Sequence, residues 1–256
     1  MKKNSYLQRI GLSANDLLPG FEGLKRLQRQ HLLHIPFENL DIHWKRPISL
    51  DFVRFYRKIV EMGRGGFCYE LNGLFYGLLK DLGYRCRIIS ARVHTGNGDF
   101  GPEYDHLALL VETGGEEYLT DVGFGDFAAE PLRFIVDVEQ KDRNGTFLIE
   151  KFEDDYFQVA KKDKDAWKIE YIFKNEERDL VEFAGMCEFH QTSPDSHFTR
   201  GRVCSLMTES GRKTLTDHRF IETDNGEKKE TAVGSERTFE KMLWREFKIT
   251  GGDKSG

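Results

Sequence analysis

Arg64-Gly65-Gly66-Phe67-Cys68-Tyr69-Glu70-Leu71-Asn72 stands between two helical patterns. Upstream, residues 51–62 carry Phe52, Val53, Tyr56, Ile59 and Val60 at the spacing of an amphipathic helix. Gly63, Gly65 and Gly66 then interrupt it, since each glycine inside a helix costs about 1 kcal/mol against alanine. Downstream, Leu71, Leu74, Phe75, Leu78, Leu79 and Leu82 recur at helical spacing, and Gly83 is a natural stop. Cys68 is therefore expected in the first turn of a helix that follows a flexible loop. The free N–H groups and positive dipole end there favour a thiolate, and Arg64 adds a second positive influence. Read alone, Cys68 is better explained as a buried thiol packed as a small hydrophobe, the usual fate of a free cysteine.

The chain has 256 residues, enough for one large domain or two to three small ones. Hydrophobic content of 39%, charged content of 32% and a net charge of -5 describe a water-soluble protein with no basic footprint for nucleic acid. No apolar run follows the N-terminal Lys2-Lys3, so neither a signal peptide nor a membrane span is expected. Four cysteines in a chain of this length read as free thiols of a reducing cytoplasm: Cys68, Cys86, Cys187 and Cys204.

Residues 4–82 read as mainly helical. Asn4 or Ser5 is expected to cap a first helix. A second covers about 21–33 and is closed by Pro36, and residues 37–41 read as a loop. After Gly83 the period changes. Residues 87–95, 106–113, 118–122, 147–152, 156–160 and 167–173 alternate like strands, with Gly114-Gly115 as a tight turn, and a mostly antiparallel barrel or sandwich closes so many short strands. Helical spacing returns over 175–190. Strands are then expected at 203–207, 214–217, 219–222 and 230–233, with Asn225-Gly226 as a type I′ turn. A helix capped by Ser235 covers 236–247. The tail 251–256 reads as disordered.

Two patterns do not carry function. Gly96-Asn97-Gly98-Asp99-Phe100-Gly101 has dinucleotide-binding glycine spacing, but a strand follows it where that motif needs a helix, so it reads as a hairpin connection. Cys187 and His190 are spaced like half a zinc site with no second half, and no metal is expected. A thiol nucleophile needs a base, and the base an orienting group. His106 opens one hairpin strand and Asp121 closes the next, near it across the ladder. Asp105 competes for the orienting role but points to the opposite face by alternation. A plain strand-end histidine and a turn aspartate fit these positions as well.

The nine-residue stretch around Cys68 resembles the nucleophile motif of the arylamine N-acetyltransferases. Asp105-His106-Leu107 and Asp121-Val122-Gly123-Phe124-Gly125 resemble that family's His and Asp segments. His34-Ile35-Pro36-Phe37-Glu38-Asn39-Leu40 and Thr192-Ser193-Pro194-Asp195-Ser196-His197-Phe198, continued by Cys204-Ser205-Leu206, resemble two further motifs. The resemblance covers nearly the whole chain. It implies an α+β fold: an N-terminal helical bundle over 1–83 carrying Cys68, a central antiparallel β-barrel with a helical linker over 84–198 carrying His106 and Asp121, and a C-terminal α/β lid over 199–256. It implies a Cys68–His106–Asp121 triad and acetyl-CoA as acyl donor. The implied acceptor is an aromatic amine, arylhydroxylamine or hydrazine, with no metal, nucleic acid or membrane partner. Phe37, Val93 and Phe124 resemble its substrate-pocket residues, and core packing explains them too. The same order of Cys, His and Asp occurs in transglutaminase-like enzymes and thiol hydrolases. An inert protein that binds an aromatic ligand on this fold is a further alternative. Monomer and homodimer stay open.

Overall fold

The computed structural model describes residues 2–251. The chain opens with α1 (Lys3–Arg9), α2 (Gly20–His34), β1 (Phe37–Glu38), α3 (Leu40–His43), α4 (Phe52–Tyr56) and α5 (Cys68–Asp81). Asp51 caps α4 by accepting the Arg54 N–H at 2.9 Å, and α4 runs on into a π-helical turn over Arg57–Glu61. Along α5, Leu71, Leu74, Phe75, Leu78 and Leu79 are all buried, so the helix is enclosed rather than surface-borne. Gly83 ends it with φ +89°.

Eight antiparallel strands follow: β2 (Arg85–Val93), β3 (His106–Thr113), β4 (Glu116–Thr120), β5 (Leu132–Arg133), β6 (Gln140–Asp142), β7 (Gly145–Lys151), β8 (Tyr156–Asp163) and β9 (Ala166–Lys174). Their order is β5-β4-β3-β2-β9-β8-β7-β6, a nearly closed barrel. Side chains bridge the seam between the edge strands. Gln140 accepts the Arg133 N–H (2.7 Å) and donates to the Arg133 carbonyl (2.9 Å), while Asp142 takes the N–H groups of Ala129 and Glu130. Edge backbone that would otherwise lack a partner is thereby satisfied. Strand β3 is buried on both faces: Ala108 and Leu110 fill the barrel, and Leu107, Leu109 and Val111 pack into the core around α5. That sharing fixes the barrel against the helix that begins at Cys68.

The chain continues through a 3-10 turn (Leu180–Phe183), α6 (Ala184–Thr192) and α7 (His197–Arg200). A second sheet has β10 (Val203–Met207), β11 (Gly211–Thr216), β12 (Arg219–Asp224) and β13 (Glu227–Ala232), and α8 (Glu236–Phe247), capped by Ser235, packs on it. β1 joins this sheet beside β10, Phe37 opposite Ser205, so an N-terminal segment completes the C-terminal layer.

Local expectations needed correction. Residues 37–41 are strand and helix, not loop, because β1 is templated by β10, far away in sequence. Neither Asn4 nor Ser5 caps α1; both lie inside it, and Lys2 stands at the cap. The helix expected over 175–190 starts late, as a 3-10 turn. Gly251 is held, its carbonyl accepting from Arg46 at 2.8 Å, and the rest of the tail, 252–256, lies outside the described residues.

Candidate active site

Three local arrangements converge on Cys68. The first is the loop before it. Gly65 passes so close to the Pro36 carbonyl that a Cβ would lie 1.9 Å from the oxygen, and a Cβ on Gly66 would meet the Glu70 side chain at 2.8 Å. The loop backbone pairs with β1 through Glu38 N–H to the Gly66 carbonyl (2.8 Å). Glu70 reaches back to accept the Phe67 N–H at 3.1 Å, a cap on the helix that Cys68 opens. Beneath lies a buried ionic cluster. Lys58 Nζ contacts Glu70 and Asp41, both at 2.8 Å, and Arg64 donates to Glu38 (2.5 Å) and Asp41 (2.6 Å). Burial opposes the Lys58 charge, but Glu38, Glu70 and Asp41 outweigh it and hold its pKa above the ordinary lysine range.

The second arrangement is the β3–β4 hairpin. Its register places Leu109 opposite Thr120, with Gly114 and Gly115 at positive φ in the turn, as the spacing predicts. His106 and Asp121 are both buried, and His106 Nε2 lies 2.6 Å from Asp121 Oδ2. Asp121 is saturated with donors. Oδ1 accepts from Asn72 Nδ2 (2.8 Å), Gly123 N (2.8 Å) and Phe124 N (3.1 Å), and Oδ2 also receives the Tyr171 hydroxyl at 3.4 Å. Burial, then Asp121 itself, raises Tyr171 well above its ordinary pKa, which keeps it a donor.

The third is Asn72, the last residue of the nine-residue stretch. Its Nδ2 donates to the Leu107 carbonyl (2.6 Å) as well as to Asp121, and its Oδ1 accepts the Val122 N–H at 2.8 Å. One turn beyond Cys68, this amide ties α5 to β3, which carries His106, and to the segment just after β4, which carries Asp121. Gly123 completes the approach: a Cβ there would sit 2.9 Å from Cys68 Cα.

A cavity of ~270 Å³ opens where these parts meet. Cys68, His106, Phe37, Val93 and Phe124 all line it, together with Asp105, Gly123, His197, Phe198 and Val203. Asp121 stands behind His106 and is not part of the wall. The Phe124 ring meets His106 edge-on at 5.1 Å, and Phe37 and Phe198 stand 6.0 Å apart.

The charge balance at Cys68 departs from expectation. Arg64 does not assist the thiol, because both its terminal nitrogens are engaged by Glu38 and Asp41. Burial pushes the Cys68 pKa well above the usual thiol value, and Asp105, Cys187 and Asp121 add to it. The Tyr69 N–H, bonded to the sulfur, is the opposing influence. Among the described residues the thiol makes no hydrogen bond to the His106 ring. Cys86, Cys187 and Cys204 are also free and buried, and burial raises each of them. No group of His, Cys, Asp and Glu among the described residues is placed to hold a metal ion, and none of the described helices is long and apolar enough to cross a membrane. His190, half of the metal-like pair, is committed to Ser196 and Asp105. The 96–101 glycine stretch is a hairpin connection, with His94 bridged to Phe100.

A thiol at a helix start opens onto the same cavity as an imidazole backed by a carboxylate, between a barrel and a second sheet. A family model described as N-acetyltransferase matches residues 20–254. A pineal gland isozyme of arylamine N-acetyltransferase from Gallus gallus is 31% identical, over 98% of this chain and 94% of its own length. The structure of the Mycobacterium smegmatis arylamine N-acetyltransferase superposes with a TM-score of 0.91 at 28% identity, covering 100% of this chain and 95% of that one. The Mycobacterium marinum arylamine N-acetyltransferase in complex with CoA gives 0.87 at 28% identity, covering 96% and 92%. The chain belongs to the arylamine N-acetyltransferase family.

Proposed function

We propose that this protein moves an acetyl group from acetyl-CoA to the nitrogen of an arylamine, arylhydroxylamine or hydrazine, by a ping-pong mechanism through an acetyl-Cys68 thioester. The observation that carries the reading is one cavity lined by both Cys68 and His106, with Asp121 fixed behind the imidazole. Membership of the family and a relative solved with CoA support the choice of donor.

Since Asp121 occupies His106 Nε2, Nδ1 is the nitrogen left to take the thiol proton. Burial disfavours a lone thiolate, so the sulfur loses its proton only as the imidazole gains it, and the two charges form together. The sulfur attacks the thioester carbonyl carbon, a C–S bond forms, and the bond to the CoA sulfur breaks. CoA leaves as a thiol with the proton returned from His106. In the second half the acceptor lone pair attacks acetyl-Cys68, the Cys68 C–S bond breaks, and a nitrogen proton passes to His106. The Phe67 N–H is held by Glu70 and the Tyr69 N–H by the sulfur, which leaves the Cys68 N–H at the helix start for the oxyanion. Phe37, Val93, Phe124, Phe198 and Val203 give the cavity apolar walls that suit an aryl ring and keep water from the acetyl group.

In this reading 1–83 supplies the nucleophile, 84–198 the base and its carboxylate, and 199–256 the cover. The work is cytoplasmic, as four free thiols suggest. Acetyl-CoA alone should give a burst of about one equivalent of CoA and an acetyl group mapped to Cys68, discharged quickly by an arylamine or hydrazide. Cys68→Ser should give neither while retaining its circular dichroism. Steady hydrolysis without a burst, or an adduct no amine discharges, would replace the transferase with a hydrolase.

A further inference from the structure

A second carboxylate, Asp105, opens onto the Cys68 cavity with the His190 imidazole beside it, and the mechanism above does not use it. Asp105, just before β3, lines the same cavity as His106, and its carboxylate is only 14% exposed. His190 Nε2 donates to the Asp105 backbone carbonyl at 3.3 Å and lies 3.2 Å from Oδ1, and Oδ2 accepts the Val93 N–H at 3.3 Å. Hydrogen bonds at His190 assign its ring nitrogens. The Phe198 N–H donates to Ser196 Oγ at 3.2 Å, and Ser196 Oγ stands 3.1 Å from His190 Nδ1. The Asp105 carbonyl can only accept, so Nε2 carries the proton toward Asp105, which assigns Nδ1 as the acceptor of the Ser196 hydroxyl. Gly101 lies against the same carboxylate, where a Cβ would come within 2.4 Å of Oδ2. After burial, Asp105 is the next influence that keeps the Cys68 thiol protonated, ahead of Asp121.

A carboxylate held in a poorly solvated, aromatic-walled cavity is costly unless a cation or strong N–H donor reaches it. Of the two reacting groups that come to this cavity, the thioester and the acceptor nitrogen, only the nitrogen can carry a positive charge. We infer that Asp105 is a specificity-determining group of the acceptor site: positioned by His190, it admits alkyl and arylalkyl amines, which are protonated at neutral pH, alongside weakly basic arylamines. The inference rests on the acetyl-transfer reading. An arylamine arrives with its lone pair free. An alkylammonium must first lose a proton, and Asp105 both pairs with the cation and accepts that proton. The freed lone pair attacks the acetyl carbon, the N–C bond forms, and the C–S bond breaks with its electrons on Cys68. The second nitrogen proton passes to His106, which returns it to the sulfur.

The test compares benzylamine with aniline as acceptors for the wild type and for Asp105→Asn. The wild type should N-acetylate both. Asp105→Asn should lower kcat/KM for benzylamine relative to aniline by about tenfold or more, the size of one charge-assisted hydrogen bond. The CoA burst, measured without acceptor, reports the first half-reaction and a folded site. A wild type with no burst removes the transferase reading itself. A burst with aniline transfer but no benzylamine product, or an equal fall for both acceptors in Asp105→Asn, overturns the role of Asp105 alone. If Asp105→Asn gives no burst, Ser196→Ala decides, since it withdraws the hydroxyl from His190 and keeps the carboxylate. A fall in the benzylamine-to-aniline ratio upholds the inference, and an unchanged ratio overturns it.

Discussion

Asp121→Asn is the most discriminating change because the surroundings dictate how the new amide must sit. Three donors converge on Oδ1: Asn72 Nδ2, Gly123 N and Phe124 N. An NH2 group there would leave three buried donors facing a fourth, at roughly 1–3 kcal/mol for each group left unsatisfied. The amide oxygen therefore takes the Oδ1 position, and the NH2 replaces Oδ2 opposite His106 Nε2 and the Tyr171 hydroxyl. Tyr171 adapts by turning its hydroxyl to accept. His106 can meet a donor only by presenting a bare Nε2, which moves its proton to Nδ1, the nitrogen needed for the thiol. The base is then in the wrong tautomer and its cation has lost its counter-charge. In another triad enzyme this exchange costs on the order of ten thousand-fold, and we expect a fall of roughly a thousand- to ten thousand-fold here. Stability should change little, about 1–2 kcal/mol, since the bonds at Oδ1 survive and one charged hydrogen bond becomes neutral. The assay is the rate of the CoA burst by stopped flow, beside the urea midpoint. A folded variant that bursts within about tenfold of the wild type would refute the assignment of Asp121 as the orienting carboxylate.

Asn72→Ala removes three buried hydrogen bonds between α5 and the β3–β4 segment, so a loss of about 3 kcal/mol or more in urea unfolding is expected, with a slower burst in the fraction that folds. Gly123→Ala should slow the burst sharply because the added methyl meets backbone at Cys68 Cα. Gly185→Ala in α6, where a Cβ meets nothing within 4 Å, should instead stabilise by about 0.5–1 kcal/mol in the same assay. His31 sets an acid limit. Burial, then Arg9 and His34, push its pKa down to about 3, and its Nδ1 lies 2.8 Å from the Tyr6 hydroxyl. An unfolded His31 binds its proton below about 6.5 and the native one does not, so stability is full above that value and falls as pH drops toward 3, by at most about 1.4 kcal/mol per unit. His31→Gln should flatten the decline in urea midpoint between pH 6 and 4, and equal slopes in the two proteins would exclude this histidine as the cause.

What could be read in the sequence was what short-range physics controls. The boundaries of α5, the register of β3 against β4 and the Asn225-Gly226 turn (φ 48° and 85°) follow from periodicity and turn chemistry within a dozen residues. β1 is only two residues long and exists because β10, more than 160 positions later, offers it an edge; nothing in Phe37-Glu38 announces a strand. A barrel was expected, but the way its edges are bridged was likewise hidden. It depends on Gln140 and Asp142 imitating strand partners across the seam, and glutamine and aspartate there look like ordinary surface polarity in one dimension.

The same division runs through the site. Cys68 was placed correctly at the helix start, and Phe37, Val93 and Phe124 do reach its cavity. Arg64 was misjudged because proximity in sequence says nothing about which carboxylate a guanidinium finds, and Glu38 and Asp41 come from a segment that local pattern left as loop. That misreading bears on mechanism. With Arg64 spent on the buried cluster, and with Asp105 and Asp121 both adding to burial's effect on the thiol, the helix start alone does not make a standing thiolate. A net charge on sulfur would be exposed to two nearby carboxylates in a solvent-poor space, whereas a proton passed to His106 creates a cation beside Asp121 in the same step. The arrangement therefore favours transfer within the pair over a free anion, and a covered thiol that ionises only together with its base suits the proposed route, in which an acetyl thioester waits for an amine.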